Sequence, residues 1–244
     1  PDGIPGIAIP FYLAHPRLAR LELHQMFEIE GGTHEWCMQI LRHEAGHAIE
    51  NAFKLRSRRR RHELFGSTRE EYPEFYAPRP YSKSFVIHLD AWYAQSHPTE
   101  DFAETFAVWL PPRARWRSQY AGWPAFAKLE YVDATMRALE GLRAKNLDRR
   151  TVEPLAENER TLREHYRRKQ ARYEVDTLRA YDRPLVRVFG PRAEHPRSLA
   201  ASRFMRDMRP QLKRLLVRRA RMHPYLVSHV MRTAVQRARI LDLR

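Results

Sequence analysis

The sequence predicts a mainly helical α+β chain, and three observations carry that expectation. Apolar residues recur at helical spacing over residues 33–55, 98–110 and 124–142. Short apolar runs with strand composition interrupt them near residues 7–13, 84–89 and 185–189. Charge is divided unevenly: residues 1–145 hold 19 Lys+Arg against 18 Asp+Glu, and residues 146–244 hold 25 against 11. A nearly neutral working domain over residues 1–145, followed by a basic, mainly helical extension over 146–244, is the expected organisation. With 244 residues, 43% of them apolar, the chain can bury one sizeable core and carry an appendage.

The elements follow in order. Ile7-Ala8-Ile9-Pro10-Phe11-Tyr12-Leu13, bounded by Gly and Pro, reads as a strand or extended edge. Gly31-Gly32-Thr33 breaks the chain, and Trp36, Ile40, Leu41, Ala45, Ala48, Ile49 and Phe53 then mark a helix opening at Thr33 or His34. The Arg58–Arg61 run and the Tyr/Pro-rich residues 71–81 read as a loop excursion, and residues 84–89 as a strand. The helix over 98–110 has Thr99 as its expected cap and Glu100 and Asp101 at the positive end of its dipole, with Pro111-Pro112 as the stop. Phe126, Leu129, Val132, Met136 and Leu139 line the helix over 124–142. Residues 155–178 show a thin helical stripe. Two Arg-rich amphipathic helices are expected over 199–222 and 224–243. Their inner faces are Leu212, Leu215 and Leu216, then Leu226, Val230, Ala234, Ala238 and Leu241.

Composition excludes several classes. Arg, His or Pro interrupts every apolar stretch before the ~18–20 residues of a membrane span. A single cysteine, Cys37, cannot form an internal disulfide or a Cys-rich zinc module. With no leader-like opening, the expected compartment is a reducing, cytoplasmic one.

Chemistry concentrates in His43-Glu44-Ala45-Gly46-His47. Two histidines four apart share one helical face, so both imidazoles can reach one ion. The intervening Glu44 projects beside that ion, where it can take a proton from a bound water. Such a match arises by chance roughly 0.05 times in a chain of this composition, and the helical setting makes coincidence rarer still.

A catalytic zinc site needs a third protein ligand. A third His downstream in the H-E-x-x-H-x-x-G-x-x-H manner is absent, since Ala48-Ile49-Glu50-Asn51-Ala52-Phe53 follows. Glu100 and Glu104 lie four apart on the second helix, an unfavourable like-charge pair unless a cation faces them. One carboxylate would bind the metal and the other would hydrogen-bond a ligand histidine. His97 is an alternative third ligand, although His97-Pro98 more simply opens the helix. His88 reads as structural and Cys37 as core.

His43–His47 followed by Glu100-Asp101-Phe102-Ala103-Glu104-Thr105-Phe106-Ala107, with Tyr93 seven residues before Glu100, resembles the bacterial zinc-binding metallopeptidases of the gluzincin type. More distantly it is similar to the anthrax lethal factor catalytic domain. The resemblance covers about residues 4–142, with Pro10-Phe11-Tyr12 and Trp92-Tyr93-Ala94-Gln95 as supporting detail. It implies a zincin-like metallopeptidase domain acting on peptides or proteins. In it Zn²⁺ is held by His43, His47 and Glu100, Glu104 supports a ligand histidine, Glu44 is the general base, and Tyr93 faces the developing oxyanion. Tyr93 also has an ordinary explanation as an aromatic packed beside Trp92.

Residues 184–244 carry 15 Lys+Arg against three Asp+Glu. They are expected to form a solvated helical pair packed on the catalytic domain, or else to bind anions or nucleic acid weakly and without sequence preference. The rival functional reading is a catalytically inert zincin-like protein that uses this Arg-rich part to bind an anionic partner.

Overall fold

The computed structural model describes residues 3–26, 29–73, 76, 78–152, 154–172, 181–220 and 224–244. In chain order the helices are α1 (Pro16–Met26), α2 (His34–Ala52), α3 (Arg59–Phe65), α4 (Pro98–Trp109), α5 (Trp116–Gln119), α6 (Ala125–Leu139), α7 (Leu162–Arg172), α8 (Asp182–Val188), α9 (Ala201–Asp207), α10 (Arg209–Ala220) and α11 (Pro224–Ile240). Short 3₁₀ turns occupy Phe11–Ala14, Leu55–Ser57, Asp90–Gln95 and Leu155–Glu157. The chain forms two compact units, one of Pro1–Pro10 with Glu30–Glu157 and one of Phe11–Ile29 with Asn158–Arg244. Among the described residues no helix is long and apolar enough to cross a membrane.

The expected strands are the main correction: among the described residues the fold is helical without a strand, and a bridge between Pro191 and Leu243 is the β-type pairing present. Residues 84–89 show why. Their backbone groups are satisfied by side chains rather than by a neighbouring strand. The Ile87 N–H donates to the Tyr120 hydroxyl (3.1 Å), the Leu89 N–H to Glu104 (2.8 Å), and the Ser84 carbonyl accepts from Lys128 Nζ (2.8 Å). The apolar Val86 is fully buried as a plug between helices. Residues 185–189 fall largely within α8, where Pro184 sits in the first turn and Leu185 enters the core. The run at 7–13 ends in the 3₁₀ turn after Pro10.

In the first unit α4 is the central helix, and every residue from Thr99 to Ala107 is buried. Leu55, Phe65, Phe102, Phe106, Val132 and Leu139 form one cluster around it, and Val86, Ala94, Trp116, Tyr120, Ala125 and Leu129 form another. The Arg58–Arg61 run, expected as loop, instead caps and opens α3, with Arg59, Arg60 and Arg61 inside the helix and Arg61 fully buried. Its guanidinium donates to Glu50 Oε1 (2.9 Å) and to the carbonyls of Gly66 and Pro98 (3.0 Å each), tying α3 to α2 and to the start of α4. A carboxylate and two carbonyls together use the fork of donors that a buried Arg must satisfy.

In the second unit Leu185, Ala201, Met205, Ala238 and Leu243 form the core, and Arg237 grips Asp182 through two bonds of 2.7 and 2.6 Å. The expected helix over 199–222 divides at Met208, because Pro210 has no N–H to continue the hydrogen-bond ladder. Leu215 and Leu216 are exposed rather than inward, and Ala201 and Met205 fill the core instead. Met222 of that helix, and residues 173–178 of the stripe expected over 155–178, lie outside the described residues.

Helices α2 and α4 approach each other closely at Gly46. A Cβ on Gly46 would stand 2.9 Å from the Ala103 Cα and 3.2 Å from its carbonyl oxygen, below normal contact. Gly46→Ala would gain about 1 kcal/mol of helix propensity but force the two backbones apart, at an overpacking cost of about 1–3 kcal/mol. A lower melting temperature and weaker zinc retention are expected, checked by thermal melts with and without zinc. A variant melting above the parent with undiminished zinc retention would show that the close approach is not required.

Candidate metal centre

Thr33 caps α2, its hydroxyl accepting from the Trp36 N–H (3.2 Å), and the helix runs unbroken past His43 and His47. The cap of α4 is His97 rather than Thr99, its Nδ1 accepting from the Thr99 N–H (3.1 Å), with Pro98 at the first helical position. One turn of each helix then faces the other across the Gly46–Ala103 contact, presenting His43 and His47 to Glu100 and Glu104.

The four side chains meet. His43 Nε2 lies 3.0 Å from Glu100 Oε2 and 3.0 Å from His47 Nε2, and His47 Nε2 lies 3.2 Å from the same Glu100 oxygen. His43 Nδ1–H donates to Glu104 Oε1 (2.8 Å), and Glu104 Oε2 accepts the Leu89 N–H (2.8 Å). Because a carboxylate can only accept, this bond fixes the proton of neutral His43 on Nδ1 and leaves a lone pair on Nε2. That lone pair, a Glu100 oxygen and His47 Nε2 therefore crowd one point. They repel unless a proton or a cation lies between them.

Two imidazoles and a carboxylate suit zinc. Ligand bonds of about 2.0–2.1 Å in tetrahedral geometry put donor atoms about 3.3 Å apart. The separations of 3.0–3.2 Å come within a few tenths of an ångström of that value. His43, His47 and Glu100 also form the His/Asp/Glu cluster among the described residues whose donor atoms are mutually close enough to hold an ion.

Residues 37–119 match a family model described as "Putative zinc-binding metallo-peptidase". The match includes His43, His47, Glu100 and Glu104. No curated protein and no solved structure gives a significant match to the chain. Zinc is accordingly the cofactor on which family match and cluster chemistry agree.

The electrostatics express the same demand for positive charge. Burial alone would lower the His43 pKa, but the hydrogen bonds and charges of Glu100 and Glu104 outweigh it and raise it to about 9. Burial likewise opposes ionisation of Glu100, yet bonds from His43, His47 and Tyr72 hold its carboxyl well below the usual range. Glu44 follows His43 on α2 and is half-buried. Tyr93 lies on the 3₁₀ turn before α4, its ring 5.7 Å from that of His43. Burial, then the charges of Glu100, Glu104 and Glu44 among its neighbours, push the Tyr93 hydroxyl upward, so it stays protonated.

His97 does not join the cluster. Its second nitrogen bonds the Glu70 carbonyl (2.9 Å), so both ring nitrogens are used structurally. His88 bonds the Gln39 carbonyl (2.9 Å), and Cys37 is half-buried on the first turn of α2. Tyr72 was not legible beforehand. Its hydroxyl donates to Glu100 Oε1 (2.7 Å), and its ring stacks on His97 at 3.9 Å. It comes from a Tyr/Pro-rich loop with no spacing that relates it to the motif.

Two outcomes follow. Glu104→Ala and Tyr72→Phe each remove a bond that orients a ligand, and each should weaken zinc binding, by about 10–100-fold for Glu104→Ala, measured by chelator competition. In zinc-free protein the raised His43 pKa contributes stability that is present below its ordinary 6.5 and lost as pH rises through about 9. Zinc loading at pH 7.5 must therefore expel this proton. Calorimetry in buffers of different ionisation enthalpy should report release of about one proton per zinc, and loading without proton release would contradict the His43 assignment.

Proposed function

We propose that the protein is a zinc-dependent metallopeptidase of the gluzincin type, with a zincin-like catalytic domain over residues 1–145 that hydrolyses peptide bonds. The observation that carries this reading is the convergence of His43 Nε2, His47 Nε2 and Glu100 Oε2 at 3.0–3.2 Å, with Glu44 at the adjoining helix position. Zinc, held there by His43, His47 and Glu100, would supply a Lewis acid and acidify water from pKa ~15.7 towards ~7.

The chain's own groups do the remaining work. Glu44, for which half-burial leaves access to solvent, accepts a proton from the water that attacks the peptide carbonyl and delivers it to the leaving amine nitrogen. The Tyr93 hydroxyl, kept protonated by burial and neighbouring carboxylates, donates a hydrogen bond to the oxygen that becomes negative. Glu104 holds His43 by its Nδ1–H, and Tyr72 occupies the other Glu100 oxygen, so both ligands keep one orientation through turnover.

Zinc content and hydrolysis of a mixed peptide library, read by mass spectrometry, test the reading. Glu44→Ala should retain zinc and lose about 10²–10⁴-fold in turnover, and Tyr93→Phe should lose about 10²–10³-fold in kcat. His43→Ala should lose the metal. Undiminished cleavage by Glu44→Ala would remove the base from this scheme. Zinc-loaded parent that leaves the library intact would replace the peptidase with the inert zincin-like protein.

A further inference from the structure

The second unit contains a cavity of about 460 Å³. Met231 and Val235 contribute apolar wall, and Arg206, Arg209, Arg232 and Arg239 also line it. Arg206, near the end of α9, and Arg209, at the start of α10, line it together with Met231, Arg232, Val235 and Arg239 of α11 and Leu23 of α1. All four arginines are exposed at the surface, while Met231 is buried. Among the described residues no carboxylate lies within ion-pair distance of Arg206, Arg209 or Arg239, whereas the nearby Arg237 pairs bidentately with Asp182.

Guanidinium groups gathered at an apolar hollow repel one another, and a low-dielectric wall strengthens the field they project. The complementary ligand has an anionic head and an apolar body. A phosphate monoester answers the charge better than a carboxylate, because it carries up to two charges and pairs bidentately with the guanidinium fork. Nucleic acid fits poorly, since among the described residues no aromatic side chain lines the cavity for base stacking. A membrane surface fits poorly too, because a hollow of this volume is of the size that encloses a small ligand, whereas interfacial helices present an apolar face outward.

We propose that this cavity binds a single-chain alkyl phosphate, with the phosphate held by Arg206, Arg209 and Arg239 and the chain lying against Met231 and Val235. The site is chemically independent of the zinc centre.

Calorimetric titration of the full zinc-loaded chain with monomeric octyl phosphate tests it, with inorganic phosphate and octanol as the separate halves of the ligand. One octyl phosphate per chain should bind at least about tenfold more tightly than either half. The double variant Arg209→Glu/Arg239→Glu, with both side chains at the surface, should fold normally by circular dichroism and lose at least about tenfold in affinity. Val235→Asp should weaken octyl phosphate while leaving inorganic phosphate unchanged. Equal affinity for inorganic phosphate, indifference to the double variant, or binding only to phosphatidylglycerol vesicles would each overturn the proposal. The last result would identify a membrane surface instead.

Discussion

Helix α4 carries three carboxylates within two turns, Glu100, Asp101 and Glu104, each at most 5% exposed, and the first unit is organised around the charges that answer them. Unpaired, any one would cost several kcal/mol. Lys128 meets Asp101 at 2.6 Å, and even so burial leaves the Asp101 carboxyl raised to about 7. Arg61 is occupied with Glu50. What remains is the pair Glu100 and Glu104, with two negative charges between them and two imidazoles against them. A protonated His43 neutralises half of that charge. A divalent ion held by neutral imidazoles neutralises all of it, which is an electrostatic argument for the metal that is separate from donor geometry.

The close approach of α2 and α4 turns this charge pattern into a centre. With any side chain larger than hydrogen at residue 46, the Ala103 backbone would have to retreat, and the donor separations of 3.0–3.2 Å would open. The Gly in the third intervening position of the motif therefore acts through packing rather than chemistry. Arg61 reinforces the same geometry from the far side by bonding the Pro98 carbonyl at the start of α4.

What was legible in the sequence divides along the range of the interactions. His43 and His47 are one turn apart on one helix, so their convergence is a local property, and α2 itself follows from its apolar spacing and the Thr33 cap. Glu100 and Glu104 required only that a second helix face the first. The chain at 84–89 was misread because its strand composition is local, whereas the partners that satisfy its backbone, Tyr120, Glu104 and Lys128, are all distant in sequence. Arg61 was hidden in a run of four arginines, since nothing in composition tells which guanidinium finds a buried Glu50. Tyr72 was hidden in the same way, inside a loop whose aromatic and proline content describes its stiffness but not its target.

The basic half poses the same difficulty in a purer form. Fifteen basic residues over 184–244 look equivalent in sequence, yet the fold gives them different work. Arg237 is buried and spends its charge on Asp182, contributing to a core. Arg206, Arg209 and Arg239 line one apolar hollow, and among the described residues none of them has a carboxylate within ion-pair distance. Arg206 and Arg209, three residues apart on either side of the helix break at Met208, line that hollow together with Arg239 of α11. A net charge of +15 is thus not one property of this protein: part of it is engaged inside the fold, as at Arg237, and part lines the hollow beside α11.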